Sequence, residues 1–156
     1  MDEAGARGFR RQRNRFGADR LNRIEALLAQ RCIDAIGLAR RAGLALAGFE
    51  RVSAAVHGGK AALLLAALDG AEGGRRKVRA LGRGLPLVCV LTAVEMGAAF
   101  GRDHVVNASL GYGRLCGRLI ADAEKIAGFR AGAVVDRAEK PAPDEPARQD
   151  DGIGAR

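Results

Sequence analysis

Eight consecutive residues, 61–68, are all Ala or Leu, with Gly59-Lys60 before them and Asp69-Gly70 after. A run that uniform suits a strand buried on both faces, and a sheet buried on both faces needs a helical layer on each. It is far too short to cross a bilayer, which takes about 18–20 apolar residues. Residues 87–91, introduced by Pro86, and 105–110 read as further strands of the same kind.

Between these runs the apolar spacing becomes helical. Leu21, Ile24, Leu27, Leu28, Cys32, Ala35, Ile36 and Ala39 recur at three- and four-residue steps, predicting a long amphipathic helix that stops at Gly43. A short extended piece over 44–47 leads to Gly48. A second helix then runs through Val52, Ala55 and Val56 to Gly58-Gly59. Arg75, Arg76, Lys77 and Arg79 surround Val78 and Leu81 on a basic helix ended by Gly82 and Gly84. Thr92, with Glu95 three residues on, predicts a capping box for a short helix ending at Gly101. Gly111 and Gly113 turn the chain into a last helix over 115–126. The expected fold is α/β: a three-layer α/β/α sandwich with a mixed sheet of about four strands, preceded by a long N-terminal helix.

The 156 residues allow one such domain with flanks, not two domains. Aromatic residues make up only 4%, so the core over 21–130 must be aliphatic. Residues 1–20 hold six Arg with Phe9 and Phe16 interleaved, and read as a basic arm or the remnant of a linker. Residues 131–156 carry Pro141, Pro143 and Pro146 beside Asp144, Glu145, Asp150 and Asp151, and read as a disordered tail.

Charge narrows the function. Lys and Arg total 26 against 18 Asp and Glu, a net +8, and 22 of the cations are Arg. Residues 24–135 alone hold 15 cations and nine anions, so the folded part carries most of the excess. Guanidinium forks match phosphate oxygens and stack on bases, which points to a nucleic-acid partner; GC-rich coding would also raise Arg. Cys32, Cys89 and Cys116 are odd in number and form no C-x-x-C pair, and His57 and His104 complete no zinc set. Buried free thiols in a cytoplasmic protein are expected, with no metal, no cofactor and no membrane partner.

Catalytic patterns fail in turn. There is no nucleophile elbow and no helical zinc motif. Gly59-Lys60 lacks both the earlier Gly, replaced by Ala54, and the hydroxyl, replaced by Ala61, of a phosphate-binding loop. The turn from Gly111 through Gly113 to Gly117 follows a strand and opens a helix, but its spacing is G-x-G-x-x-x-G rather than that of a dinucleotide fingerprint. The start of the second helix is more informative. Gly48-Phe49-Glu50-Arg51 sits where free amides and the helix dipole favour an anion. There Glu50 and Arg51 can reach base edges and Phe49 offers a stacking face. The competing reading has Glu50 complementing the dipole and Phe49 packing down as a staple.

The run from Ile36-Gly37-Leu38-Ala39 through Arg40-Arg41-Ala42-Gly43, then Gly48-Phe49-Glu50, Gly59-Lys60-Ala61 and Glu95-Met96-Gly97 with Gly101, resembles the kink-turn-binding ribosomal protein superfamily. Its archetype is the archaeal protein L-seven-Ae, with the L-thirty-e proteins as relatives. The chain is similar in particular to the bacterial branch in which this domain follows a YlxR-type domain. The resemblance covers residues 33–110 well and the flanking helices more loosely. It implies the same sandwich, no enzymatic activity, and RNA binding in translation, on the ribosome or in RNA processing.

In that family a Gly at the helix start precedes an Asn-Glu pair that contacts sheared G·A pairs, with a Lys further along. The matching positions here are Gly48, then Glu50 and Arg51, then Ala54, so only the Gly agrees. A carboxylate in place of the amide keeps acceptors and loses a donor. The family's distal RNA-flanking loop corresponds to Gly101-Arg102-Asp103-His104, which makes Arg102 and His104 expected contacts. Arg40 and Arg41 would neutralise phosphate, or simply solvate the end of the first helix. The alternative function is an accessory protein-interaction domain whose RNA specificity has decayed.

Overall fold

The computed structural model describes residues 3–137, with side chains from Gly17 onward. The chain opens with α1 (Glu3–Arg41), a 39-residue helix about 58 Å long. It is followed by β1 (Ala45–Ala47), α2 (Phe49–His57), β2 (Leu63–Ala66), α3 (Glu72–Leu81), β3 (Leu87–Cys89), α4 (Ala93–Phe100), β4 (Asn107–Leu110), α5 (Arg114–Ala127) and β5 (Val134–Asp136).

The five strands form one mixed sheet in the order β1-β4-β2-β3-β5. β2 and β3 are parallel, while β4 runs antiparallel to both β1 and β2 and β5 antiparallel to β3. Strands β1, β2 and β3 therefore share a direction, and their carboxyl ends lie at one end of the sheet. The uniform apolar run explains the layers. Leu63 and Leu65 point into a core built with α1, α4 and α5, whereas Leu64 and Ala66 point into a second core built with α2 and α3. Successive side chains alternate faces, so a strand serving two cores has no polar side to spare. A fully buried Leu contributes about 1.5–3 kcal/mol, and all three are at most 1% exposed.

The α1 stripe is buried from Leu28 through Cys32, Ala35, Ile36 and Ala39, but Leu21, Ile24 and Leu27, expected on the same buried face, are exposed. On α5, Cys116, Leu119, Ile120, Ala123 and Ile126 are buried while Arg118 and Lys125 face solvent. The buried Asp122 on the same stripe is met by Arg31 of α1 at 3.3 Å. Gly43 closes the first helix with paired bonds, its amide to the Arg40 carbonyl at 2.9 Å and the Leu44 amide to Ala39 at 2.8 Å. All three cysteines are free and buried, as their apolar surroundings predict. Burial, helped by the nearby Asp122 charge, pushes the Cys32 thiol up to about 12.

Two expected boundaries move. Residues 3–20, read as an arm, continue α1 without a break. The segment has no Pro, and its six Arg and three Ala are good helix formers. At the other end the domain does not stop at 130. Val134–Asp136 add an antiparallel edge to β3, through Cys89↔Val134, Val88↔Val135 and Leu87↔Asp136. Arg79 of α3 holds Asp136 at 2.5 Å. The Pro-rich residues 138–156 lie outside the described residues.

Arg130, just before this last strand, joins three distant parts of the chain. Its guanidinium donates to Glu25 on α1 (2.8 Å), to the Val90 carbonyl after β3 (2.9 Å) and to both oxygens of Glu95 on α4 (2.5 and 2.9 Å).

Candidate functional site

Gly48 is the hinge of the site. It leaves β1 with φ 98° and ψ 143° and caps α2 without any side-chain hydrogen bond. Side-chain-bearing residues rarely adopt that backbone geometry, so Gly is required for the abrupt passage from strand to helix. The first amides of a helix have no carbonyl one turn back to accept from them. With no capping side chain, those of Phe49, Glu50 and Arg51 stay open to an incoming anion.

The start of α4 shows what an occupied tip looks like. Thr92 Oγ1 accepts from the Glu95 amide, Glu95 accepts from the Thr92 amide, and Asp69 Oδ1 accepts from the Ala93 amide at 2.8 Å. The capping box read from Thr92 and Glu95 is present. Burial alone would raise the Glu95 carboxyl, but the hydrogen bonds from Arg130 and Thr92 outweigh it and hold the group below its usual range. At the tip of α4 the Thr92, Ala93 and Glu95 amides are therefore already taken.

At the α2 tip, Phe49 is 41% exposed, so it does not pack down as a staple. The side chains of Glu50 and Arg51 are exposed and make no hydrogen bond or ion pair with described residues. The loop 101–106 reaches the same end of the sheet from the other layer. It enters β4 at Asn107, whose carbonyl accepts from the Gly48 amide at 3.0 Å. Upstream the loop lies along α4: the Val105 amide donates to Ala93 at 3.0 Å and the Arg102 amide to Gly97 at 2.9 Å. Gly97 is what lets it lie so close. A Cβ there would stand 2.5 Å from the Arg102 carbonyl oxygen and 2.8 Å from Asp103. Arg102 and His104 are both exposed on this loop.

The eight expected residues thus divide. Gly48, Phe49, Glu50 and Arg51 form one lobe, and Arg102 and His104 form a second lobe on the α4 side. The two lobes meet at the Gly48–Asn107 bond. Arg40 belongs with the second lobe: a Cβ at Gly101, the C-cap of α4, would come 3.2 Å from its Nη1. Arg41 is exposed at the amino end of β1, roughly 10 Å along the strand from the α2 tip, and is not brought to it.

Two residues without a local sequence signal join the site, and Arg75 of the basic helix comes with them. Val106, 50% exposed, and Asn107 line a cleft of about 140 Å³ together with Arg75 and the uncapped start of α3 at Ala71. Only the pairing of β4 with β2 brings these segments together. The glycine-rich turn at Gly111 is engaged internally: its amide donates to Leu44 at 2.7 Å, and its carbonyl accepts from the Cys116 thiol at 3.0 Å. Among the described residues no group of three His, Cys, Asp or Glu is placed to hold a metal, and no helix is long and apolar enough to cross a membrane.

The architecture is a five-stranded mixed sheet between two helical layers, with an uncapped helix tip and a cationic loop at one end. No family model matches the chain, and no curated protein matches it. Solved structures do resemble it. A protein of unknown function from Bacillus halodurans superposes with a TM-score of 0.56 at 24% identity, over 60% of this chain and 96% of that one. The Giardia lamblia 15.5 kD RNA-binding protein gives a TM-score of 0.50 at 19% identity, over 66% of this chain and 90% of that one. At these identities the likeness is one of fold.

Proposed function

We propose that the chain is a non-enzymatic RNA-binding protein that takes structured, kink-turn-like RNA in a translation, ribosome or RNA-processing setting. One observation carries the reading. The start of α2 is left uncapped beside exposed Phe49 and Arg51, while the Thr92, Ala93 and Glu95 amides at the start of α4 are taken by protein groups. Open amides take a phosphate, Arg51, Arg102 and His104 surround it with donors, and Phe49 supplies a face for a base. The fold shared with the Giardia RNA-binding protein supports the same reading. Glu50 shapes the specificity: as an acceptor-only group it suits base edges that present amino donors, and it disfavours a phosphate directly over itself.

The test is fluorescence anisotropy with a kink-turn hairpin. Arg51→Ala combined with Arg102→Ala is expected to weaken binding at least tenfold and to flatten the slope of log K against log salt by about 1.4–1.8, two contacts' worth. Unchanged affinity would defeat the assignment.

A second reading, an accessory protein-interaction domain, is favoured by Leu21, Ile24 and Leu27, which are 45–66% exposed on α1. A purified partner that survives nuclease treatment, together with no hairpin binding, would select it.

A further inference from the structure

α3 lies tightly over β2. A Cβ at Gly82, just past its end, would fall 2.0 Å from Leu64 Cδ1. The helix therefore leaves the strip of β3 and β5 beside it uncovered on that face. A groove of about 400 Å³ results, with Val134 at its bottom over the buried Leu87 and Cys89, and Arg75, Arg76, Arg79 and Arg83 along its wall. Val134 is 46% exposed there.

The charges are not all spent on protein partners. Arg76 is paired with Glu72 at 2.8 Å and Arg79 with Asp136 at 2.5 Å. Arg75 and Arg83 form no ion pair among the described residues. They stand eight residues apart, Arg75 on α3 and Arg83 just beyond its end. Glu72 is the one carboxylate on the wall, and Arg76 neutralises it. Arg75 also borders the small cleft at Val106 and Asn107, and Asn107 bonds Gly48. Arg75 thus stands between the groove and the candidate interface, lining a cavity on each side.

We infer that this groove binds a single-stranded RNA segment, its phosphates on Arg75 and Arg83 and its bases against the guanidinium planes and the exposed Val134. The inference rests on the RNA reading above and names the form of the ligand on this face. A cationic track for the backbone with guanidinium planes that stack on bases is what single-stranded nucleic acid uses, and here the stacking faces are the Arg side chains, the lining having no aromatic residue.

The test is anisotropy of the full chain with a labelled single-stranded uridine dodecamer, beside a kink-turn hairpin without overhangs. Arg75→Ala with Arg83→Ala removes no partnered group and should melt within a few degrees of the wild type. It is expected to bind the dodecamer at least tenfold more weakly, with a salt slope lower by about 1.4. Arg51→Ala with Arg102→Ala should hold the dodecamer within about threefold while losing the hairpin. No dodecamer binding by the wild type, or equal binding by the groove variant, overturns the inference. A polyglutamate peptide bound as tightly as the dodecamer and lost with the same variant overturns it too, assigning the groove to acidic peptides. The hairpin titration is separate, so failure of the tip reading shows there and failure of the groove shows with the dodecamer.

Discussion

Gly48 carries two requirements in one position: a backbone at φ 98° and a helix start with no side chain over its amides. No atom lies within 4 Å of where a Cβ would stand, so a substitution there meets strain rather than a clash. Gly48→Ala is expected to lower stability by about 1–3 kcal/mol, read by denaturant melts, and to weaken hairpin binding as the tip shifts. Unchanged stability would mean the turn relaxes without Gly. The sequence marked Gly48 as a helix start but said nothing of the state of Phe49, because exposure depends on what the sheet end leaves uncovered. Arg130 was wholly illegible for the same kind of reason. Its partners at positions 25, 90 and 95 are brought to it only by the completed fold.

At the scale of elements, what could be read locally is what local chemistry decides. Thr92 and Glu95 announce their capping box, the alternating cores of β2 follow from an apolar run, and the last helix follows from its stripe. β5 could not be read, since Val134-Val135 is too short a signal and the pairing with β3 supplies the rest. The contact between Gly97 and the loop 101–106 belongs to this scale as well. Gly97→Ala puts a methyl against backbone atoms at 2.5–2.8 Å, which flexible side-chain motion cannot relieve. The expected result is about 1–3 kcal/mol of destabilisation and weaker hairpin binding through displaced Arg102 and His104. Thermal melts and anisotropy on the same samples check both.

For the whole molecule, the Arg130 cluster ties α1, α4 and the exit of β3 into one body, with Arg130 only 14% exposed. The Glu95 carboxyl is held below its usual range in the folded protein. The folded state therefore binds this proton less readily than the unfolded chain. The stability this provides is present above an unfolded pKa of about 4.3 and is lost as pH falls through the lower folded value. Melting temperatures should drop below about pH 4.5, and Glu95→Gln should be less stable at neutral pH with a shallower acid limb. A variant whose acid limb matches the wild type would show that other carboxylates dominate. The order of the sheet, β1-β4-β2-β3-β5, is the whole-molecule fact the sequence could not supply, and it places Asn107 between the two lobes of the interface.

The most direct measurement is a nitrogen-15 correlation spectrum of the labelled protein during titration with a kink-turn hairpin. The open amides of Phe49, Glu50 and Arg51, with those of the 101–106 loop, should move first and furthest, while the capped amides of Thr92, Ala93 and Glu95 stay still. Shifts confined to α1, or none at the α2 tip under saturating RNA, would contradict the account.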